Sequence, residues 1–452
     1  MPTLKKAAAI GETGVVTENA PRILLSEGSS LSAREAITAL GLAGHRVELM
    51  SSDPTCLGRF SRFVDQVHPA PASGRDPDGY LAAVLEVVAR RSIDVLMPVH
   101  EQAYLFAAAR HRLPKALHIA LADFAAFEQV QSKTALATLL TRLDVPQPST
   151  EIVRSARDFQ EERPYPYFVK AAFGTASAGV WRIGDAAERD ALTRDLQQGG
   201  AFDEGVVVQA AADGPLQRIQ AVFDHGRLVA SHIYRQVAAG PGGGEVIKAS
   251  VRRPEARAHV ERIGAALDWR GALSFDYIVD AKTGAPLFFD ANPRLVEPMN
   301  AWLSGVDLPG VLLRVSLGET PPAEPEGREG VVTRLGLMGL MDAASRRGRR
   351  GDVLWELALL ASNAGRYHGA IEELVPLATD PLCIVPLAIV LGRLLISPTS
   401  GSSLSRHAVD AYSLTPAAIA RLRAWAKDSE MTKLASAAYP STSALRLSSA
   451  AP

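Results

Sequence analysis

The sequence predicts an α/β domain, then an α+β domain of mainly antiparallel strands, then a helical C-terminal extension. Three observations carry that prediction. Over residues 21–120, short apolar runs alternate with capped amphipathic stretches, the pattern of βαβ units and a parallel sheet. Strand-like segments dominate residues 121–320. A stretch rich in proline and glycine at 321–330 then gives way to helical periodicity over 331–434.

Residues 1–20 are expected to be a loose leader, because Glu12 interrupts the apolar run after Lys5 and Lys6 before a secretory segment can form. Residues 22–26 form a strand. Ser32 caps a helix over 33–43, with Glu35 in its first turn. Gly44 ends that helix and 46–50 is the second strand, so the unit is βαβ. A helix over 80–91 and a strand at 94–98 continue the sheet. Ligands of such sheets sit at the carboxyl ends of the strands, which makes Ser30, Arg34, Asp53 and Glu101 candidate pocket residues.

Ser132 caps the next helix, which contains Lys133 and ends at 143. Strands follow at 167–171, 179–183, 205–210, 219–223, 228–234 and 245–250, with helices over 186–197 and 254–267. The closing strands, 272–279 and 285–291, meet through Thr283 and Gly284 as a hairpin. Downstream, 342–366, 367–377 and 415–426 read as helices, and 435–452 as a disordered tail.

Composition narrows the function. There are 48 basic and 49 acidic residues, a net charge of −1, which argues against a dedicated nucleic-acid binder. The basic run 346–350 reads as a solvated helix end. Two cysteines far apart in sequence make a disulfide framework unlikely and fit a reducing cytoplasm. The most apolar stretch, 382–391, is too short to span a bilayer and contains Pro386.

Chemistry concentrates in residues 288–298. Asp290 and Asn292 sit two apart on a strand and share a face, and Asp276 on the paired strand can converge with them. Two carboxylates and an amide suit Mg²⁺, which keeps further positions for phosphate and water. Arg294 adds a planar fork for phosphate or carboxylate. Lys170 ends a strand and precedes a small-residue loop containing Gly174, Ser177 and Gly179, whose backbone can approach phosphates. Lys133 can join Lys170 at the phosphates. The strand through Gln209, Ala210 and Ala211 can offer its backbone to an adenine edge. A glycine run over 240–244, near His232, Arg235 and Lys248, reads as a mobile loop or an anion nest.

The order of these features resembles the ATP-grasp superfamily, well over residues 131–318. It is most like the carboxylate–amine ligases and the biotin carboxylase and carbamoyl phosphate synthetase large-subunit group. The preceding Rossmann-like region looks like the pre-ATP-grasp domain of that superfamily; residues from 330 onward match no part of its common core. By position, the resemblance implies that Lys133 and Lys170 contact ATP phosphates. It implies that 174–179 is the phosphate loop, Gln209 to Ala211 the adenine hinge, and Asp276, Asp290 and Asn292 the ligands of one or two Mg²⁺ or Mn²⁺ ions. Arg294, with Arg235, would stabilise the transferred phosphoryl group, and Glu297 would bind or deprotonate the amine. The chain departs from the family in having Asp290 where Glu is usual, Ala210 where a hinge acid is usual, and no acid just after Gly214. The resemblance implies an ADP-forming ligase that joins a carboxylate to an amine through an acyl phosphate. It implies small-molecule substrates, no nucleic acid, no membrane, and an assembly compatible with a homodimer. A bicarbonate-using enzyme and a non-catalytic ATP-binding protein are the competing readings.

Overall fold

The computed structural model describes residues 20–174, 179–401, 409 and 412–438. The first sheet is parallel, in the order β3-β2-β1-β4, from Ile23–Leu25 (β1), Val47–Ser51 (β2), Val64–Pro69 (β3) and Val95–Met97 (β4). Helices Leu31–Leu42 (α1) and Pro77–Arg91 (α2) connect these strands. The cap of α1 is Ser30, two residues before the expected Ser32. The Glu27 carboxylate fixes that turn by accepting from Ser30 N at 3.0 Å, and Ser30 Oγ in turn accepts from Ala33 N. Ser32 Oγ instead accepts from Glu297 N at 3.3 Å. The edge strand β3 was not expected, because Asp65 and Gln66 face solvent and break the apolar pattern.

Helices Gln102–Ala108 (α3), Phe124–Gln131 (α4) and Lys133–Arg142 (α5) follow. A small antiparallel sheet, β5-β8-β6-β7, comes next. It consists of Thr150–Val153 (β5), Tyr167–Ala171 (β6), Val180–Ile183 (β7) and Val206–Ala210 (β8). Helix Ala186–Gln198 (α6) covers it, and Val169, Val208, Leu192 and Phe202 fill its separate core.

The central sheet has seven strands in the order β13-β12-β9-β10-β11-β14-β15. These are Leu216–Asp224 (β9), Arg227–Ala239 (β10), Glu245–Ser250 (β11), Gly271–Val279 (β12), Pro286–Asn292 (β13), Val332–Arg334 (β14) and Ile371–Glu372 (β15). One face of this sheet, through Ile219, Phe223, Leu273 and Phe275, packs on helix Pro254–Ala266 (α7), which supplies Val260 and Ile263.

The C-terminal third departs from the sequence reading in three places. It is not purely helical, since β14 and β15 extend the central sheet. The stretch 367–377 is a 3₁₀ turn followed by β15, because two strand residues are too few to register as a pattern. The stretch 342–366 is two helices, Gly336–Arg347 (α8) and Arg350–Ser362 (α9). Gly348, at φ +63°, takes the left-handed position that ends the first. The basic run 346–350 is that turn.

The last helix, Pro416–Ala438 (α10), returns to the N-terminal domain, where Leu422 and Trp425 join the core of Tyr104 and Val84. Its approach is close. A Cβ on Gly74 would lie 1.8 Å from the Ser413 carbonyl oxygen, and Thr415 Oγ1 donates to Gly74 O at 2.6 Å. Arg423 bonds Glu128 on α4 and Glu204 beside the small sheet, and lies over the Phe173 ring.

A buried ion pair makes a second tie. Arg34 Nη2 meets Asp380 Oδ2 at 2.8 Å with both side chains essentially inaccessible. Asp380 also accepts from Ser61 Oγ and Arg62 N. Arg34 is therefore committed to structure rather than to a pocket, and Asp53 accepts from Thr55 N in a local turn. Asp380→Ala leaves a buried guanidinium uncompensated, an expected loss of about 3–5 kcal/mol. Arg34→Met combined with Asp380→Leu should recover most of it. Urea unfolding of the single and double variants checks both.

Candidate active site

Strand alternation builds the site. Asp276 lies directly opposite Asp290, and Ser274 opposite Asn292, so all four project from one face of β12 and β13. On the next strands Arg218 pairs with Asp276, and Tyr234 pairs with Arg218. The other face of the same strands is apolar core. A polar row therefore lies on a sheet whose back is dry.

Every charge in that row has a partner. The Arg218 fork takes both Asp276 oxygens, Nη2 to Oδ2 at 2.8 Å, and its Nη1 reaches Glu245 at 2.8 Å. Burial opposes the charge on Arg218, but Asp276 and Glu245 hold its pKa well above the usual value. Burial pushes the Glu245 carboxyl up to about 7, partly offset by Arg218. Lys133 Nζ lies 2.6 Å from Asp290 Oδ1. Burial raises the Asp290 carboxyl, but Lys133 and Lys170 outweigh it, and the net shift is downward. Asn292 Oδ1 accepts from Arg294 Nη2 at 3.1 Å.

Lys170 is buried. Its Nζ donates to Gln209 Oε1 at 2.8 Å and to Phe289 O at 2.9 Å. A bulge in the β12–β13 ladder skips Phe289, so its carbonyl is available to the lysine. Burial brings the Lys170 pKa down to about 8, against the pull of Asp290. Gln209 is fixed by Thr150 Oγ1 at 2.8 Å, and Ala210 and Ala211 beyond it are exposed. Lys133 N donates to Ala172 O, which ties α5 to the strand carrying Lys170. Gly174 and Gly179 flank the expected phosphate loop, and Gly179 holds φ +76°. Ser177 lies outside the described residues.

A second charged group sits beside the first. Lys248, fully buried, contacts Glu297 at 2.9 Å and Glu373 at 2.6 Å. Glu35 completes the group, with the three carboxylates within 4.8 Å of one another. Burial disfavours the charged lysine, but Glu297, Glu373 and Glu35 hold its pKa well above normal. Burial pushes the Glu35 carboxyl well up, with Lys248 opposing.

The structure thus brings together Lys133, Lys170, Gln209, Asp276, Asp290, Asn292 and Arg294, with Glu297 adjoining through Lys248. It does not bring Arg235 to them. Arg235 is exposed and follows Tyr234 on β10, so it projects from the opposite face. Arg218, Glu245 and Glu373 were not singled out from sequence. Arg218 lies one residue before the strand expected at 219–223 and between Gln217 and Gln220, so the cost of an unpartnered buried charge did not flag it.

The donor set fits a hard divalent cation. Asp290 and Asn292 offer oxygens on one face, and each Asp276 oxygen keeps a lone pair beyond its bond to Arg218.

No protein-family model matches the chain. Over 164 residues it is 26% identical to acetyl-CoA carboxylase 1 of Arabidopsis thaliana, a match covering 34% of this chain and 7% of that protein. Among solved structures it is similar to the biotin carboxylase domain of Hydrogenobacter thermophilus 2-oxoglutarate carboxylase, in complex with MgADP, ADP and bicarbonate. The TM-score is 0.55 and the identity 15%, over 69% of this chain and 73% of that one. It is also similar to the L-amino acid ligase of Bacillus licheniformis, with TM-score 0.52 and identity 17%, over 68% and 76%. The chain has the ATP-grasp fold, with mixed α/β sheets.

Two outcomes follow from the charges. If Lys170 meets phosphate as a cation, kcat/KM for ATP should fall above about pH 8, and Lys170→Arg, whose guanidinium stays charged, should lose that inflection. Lys248→Met should cost roughly 3–5 kcal/mol at pH 7.5. Carboxyls with raised folded pKa values are stabilising when protonated and lose that contribution as pH rises. The deficit should therefore shrink toward pH 5.5 in chemical unfolding.

Proposed function

We propose that this chain is an ATP-dependent, ADP-forming ligase that joins a carboxylate to an amine through an acyl phosphate. The observation that carries the reading is the convergence of Lys133, Lys170, Asp290, Asn292 and Arg294 on one face of the central sheet. Phosphoryl transfer needs positioning and charge neutralisation more than a protein nucleophile, and this site consists of cations and hard oxygen donors. The carboxylase and ligase names of its relatives agree with that chemistry.

Asp290 and Asn292, with Asp276 behind them, would hold Mg²⁺, which when bound neutralises phosphate charge as a Lewis acid. Lys133 and Lys170 bind the phosphates of ATP, with Gly174 and Gly179 at the ends of the phosphate loop. The backbone of Gln209 to Ala211 meets adenine. A substrate carboxylate attacks the γ-phosphorus and ADP leaves. Arg294 steadies the resulting acyl phosphate. The amine then attacks the acyl carbon, phosphate departs, and the proton released passes to the carboxylates around Glu297. Arg235, on the wrong face, has no part in these steps.

In this reading residues 21–120 form a pre-ATP-grasp domain, 121–320 the ATP-grasp domain, and 331–434 an addition to it. Among the described residues no helix is long and apolar enough to cross a membrane, and Cys56 and Cys383 are free. Both facts are consistent with a cytoplasmic enzyme of small molecules, alone or as a homodimer. The likeness to the biotin carboxylase domain solved with bicarbonate is the observation that favours bicarbonate as the carboxylate.

A screen for ADP and phosphate release over amino acids, small carboxylates and bicarbonate tests the reading. Mg²⁺-dependent turnover is expected with at least one carboxylate–amine pair, and Asp290→Ala should lower it at least 100-fold. ATP binding without ADP formation across the whole panel would refute the ligase.

A further inference from the structure

The parallel sheet presents its carboxyl strand ends to Arg294. Glu27 follows β1, and His100 and Glu101 follow β4. Glu101 Oε1 lies 3.8 Å from His100 Nδ1 and 4.0 Å from Arg294 Nε. Both distances exceed a hydrogen bond. Neither nitrogen has a hydrogen-bond partner among the described residues, although both side chains are more than nine-tenths buried. Buried polar atoms are nearly always satisfied. Two orphaned nitrogens flanking one carboxylate oxygen, just out of reach, mark a place where a polar ligand group belongs.

The fourth side of this place comes from the C-terminal segment. The Tyr412 ring lies 3.7 Å from the His100 ring, centroid to centroid, and the side chain is buried. The segment that follows is fixed to the N-terminal domain. Thr415 bonds Gly74, Arg421 pairs with Asp78, and Arg112 lies over Trp425. Gly74 is a requirement of this docking, since any side chain there would strike the Ser413 carbonyl.

We propose that Tyr412 is the wall of the acceptor pocket and sets the size of the substrate whose polar head binds among Glu101, His100 and Arg294. The proposal rests on the ligase reading. The charges of this place specify a compact zwitterion: an ammonium group for Glu101, a carboxylate for Arg294, and a small side chain against the Tyr412 ring. An α-amino acid has that chemistry. His100 stays uncharged beside it, since burial and then Arg294 hold its imidazole well below the usual range. It can therefore accept a hydrogen bond from an ammonium.

The test uses the full chain with Mg²⁺, a non-hydrolysable ATP analogue for the binding measurements and ATP for turnover. Glycine, L-alanine, L-leucine and L-phenylalanine are the probes, with propionate and propylamine as single-charge controls. Binding is read by thermal shift and calorimetry, and turnover by ADP release. The wild type should bind the small amino acids best and the controls at least tenfold more weakly. Tyr412→Ala should raise affinity for leucine and phenylalanine relative to glycine by about tenfold or more, the scale of a few methylenes in a pocket. Tyr412→Phe should keep the wild-type size order, and Tyr412→Trp should sharpen it. Melting temperatures identify any variant that fails to fold, in which case the Phe and Trp variants decide. An unchanged size order in all folded variants overturns the assignment of Tyr412, and equal binding of the single-charge controls overturns the zwitterion. Size-ordered binding without any ADP release would instead leave the pocket standing and sink the ligase reading.

Discussion

Neutralising a row of buried charge is the constraint on which this structure depends. The central sheet carries Arg218, Asp276, Asp290 and Lys248 on one face while the other is apolar core. An ion in such a place is costly unless paired. The partners come from every part of the chain: Lys133 from the helix after the first domain, Glu35 from α1, and Glu373 beside β15. Charge compensation and tertiary assembly are therefore one problem, and the fold cannot close without solving it.

The same pairing runs through the whole site. Lys133 holds Asp290, Lys170 holds Gln209 and the Phe289 carbonyl, and Arg294 holds Asn292. In the proposed reaction Lys133, Lys170 and Arg294 would exchange these protein oxygens for phosphate oxygens, and Asp290 would be left to help hold Mg²⁺. Such an exchange keeps every cation beside an oxygen. It also leaves no buried carboxylate bare when product leaves, which suits a site that must empty and refill.

Local features were legible in the sequence. Strands β6 and β11 fall where alternation places them, Ser132 caps the helix of Lys133, and the Asp276, Asp290 and Asn292 cluster follows from a period of two and a hairpin turn. Long-range pairing was not. Nothing near Arg34 announces Asp380, and the partners of Arg218 lie on strands whose order a single sequence does not give. β14 and β15, three and two residues long, lie outside any alternating βα pattern that would reveal them. Arg235 was misplaced for a related reason. Its sequence neighbourhood suggested the site, but the parity of β10 aims it elsewhere.

The Arg34–Asp380 pair links residues 346 positions apart. During synthesis at about 5–20 residues per second, roughly 17–70 s separate the emergence of its two halves. Throughout that interval the first domain contains a guanidinium whose buried carboxylate partner has not been made. The N-terminal sheet therefore cannot reach its final packing as it leaves the ribosome. Its completion waits on the last quarter of the chain, which makes a truncated product recognisable by an unsealed surface at its amino-terminal end.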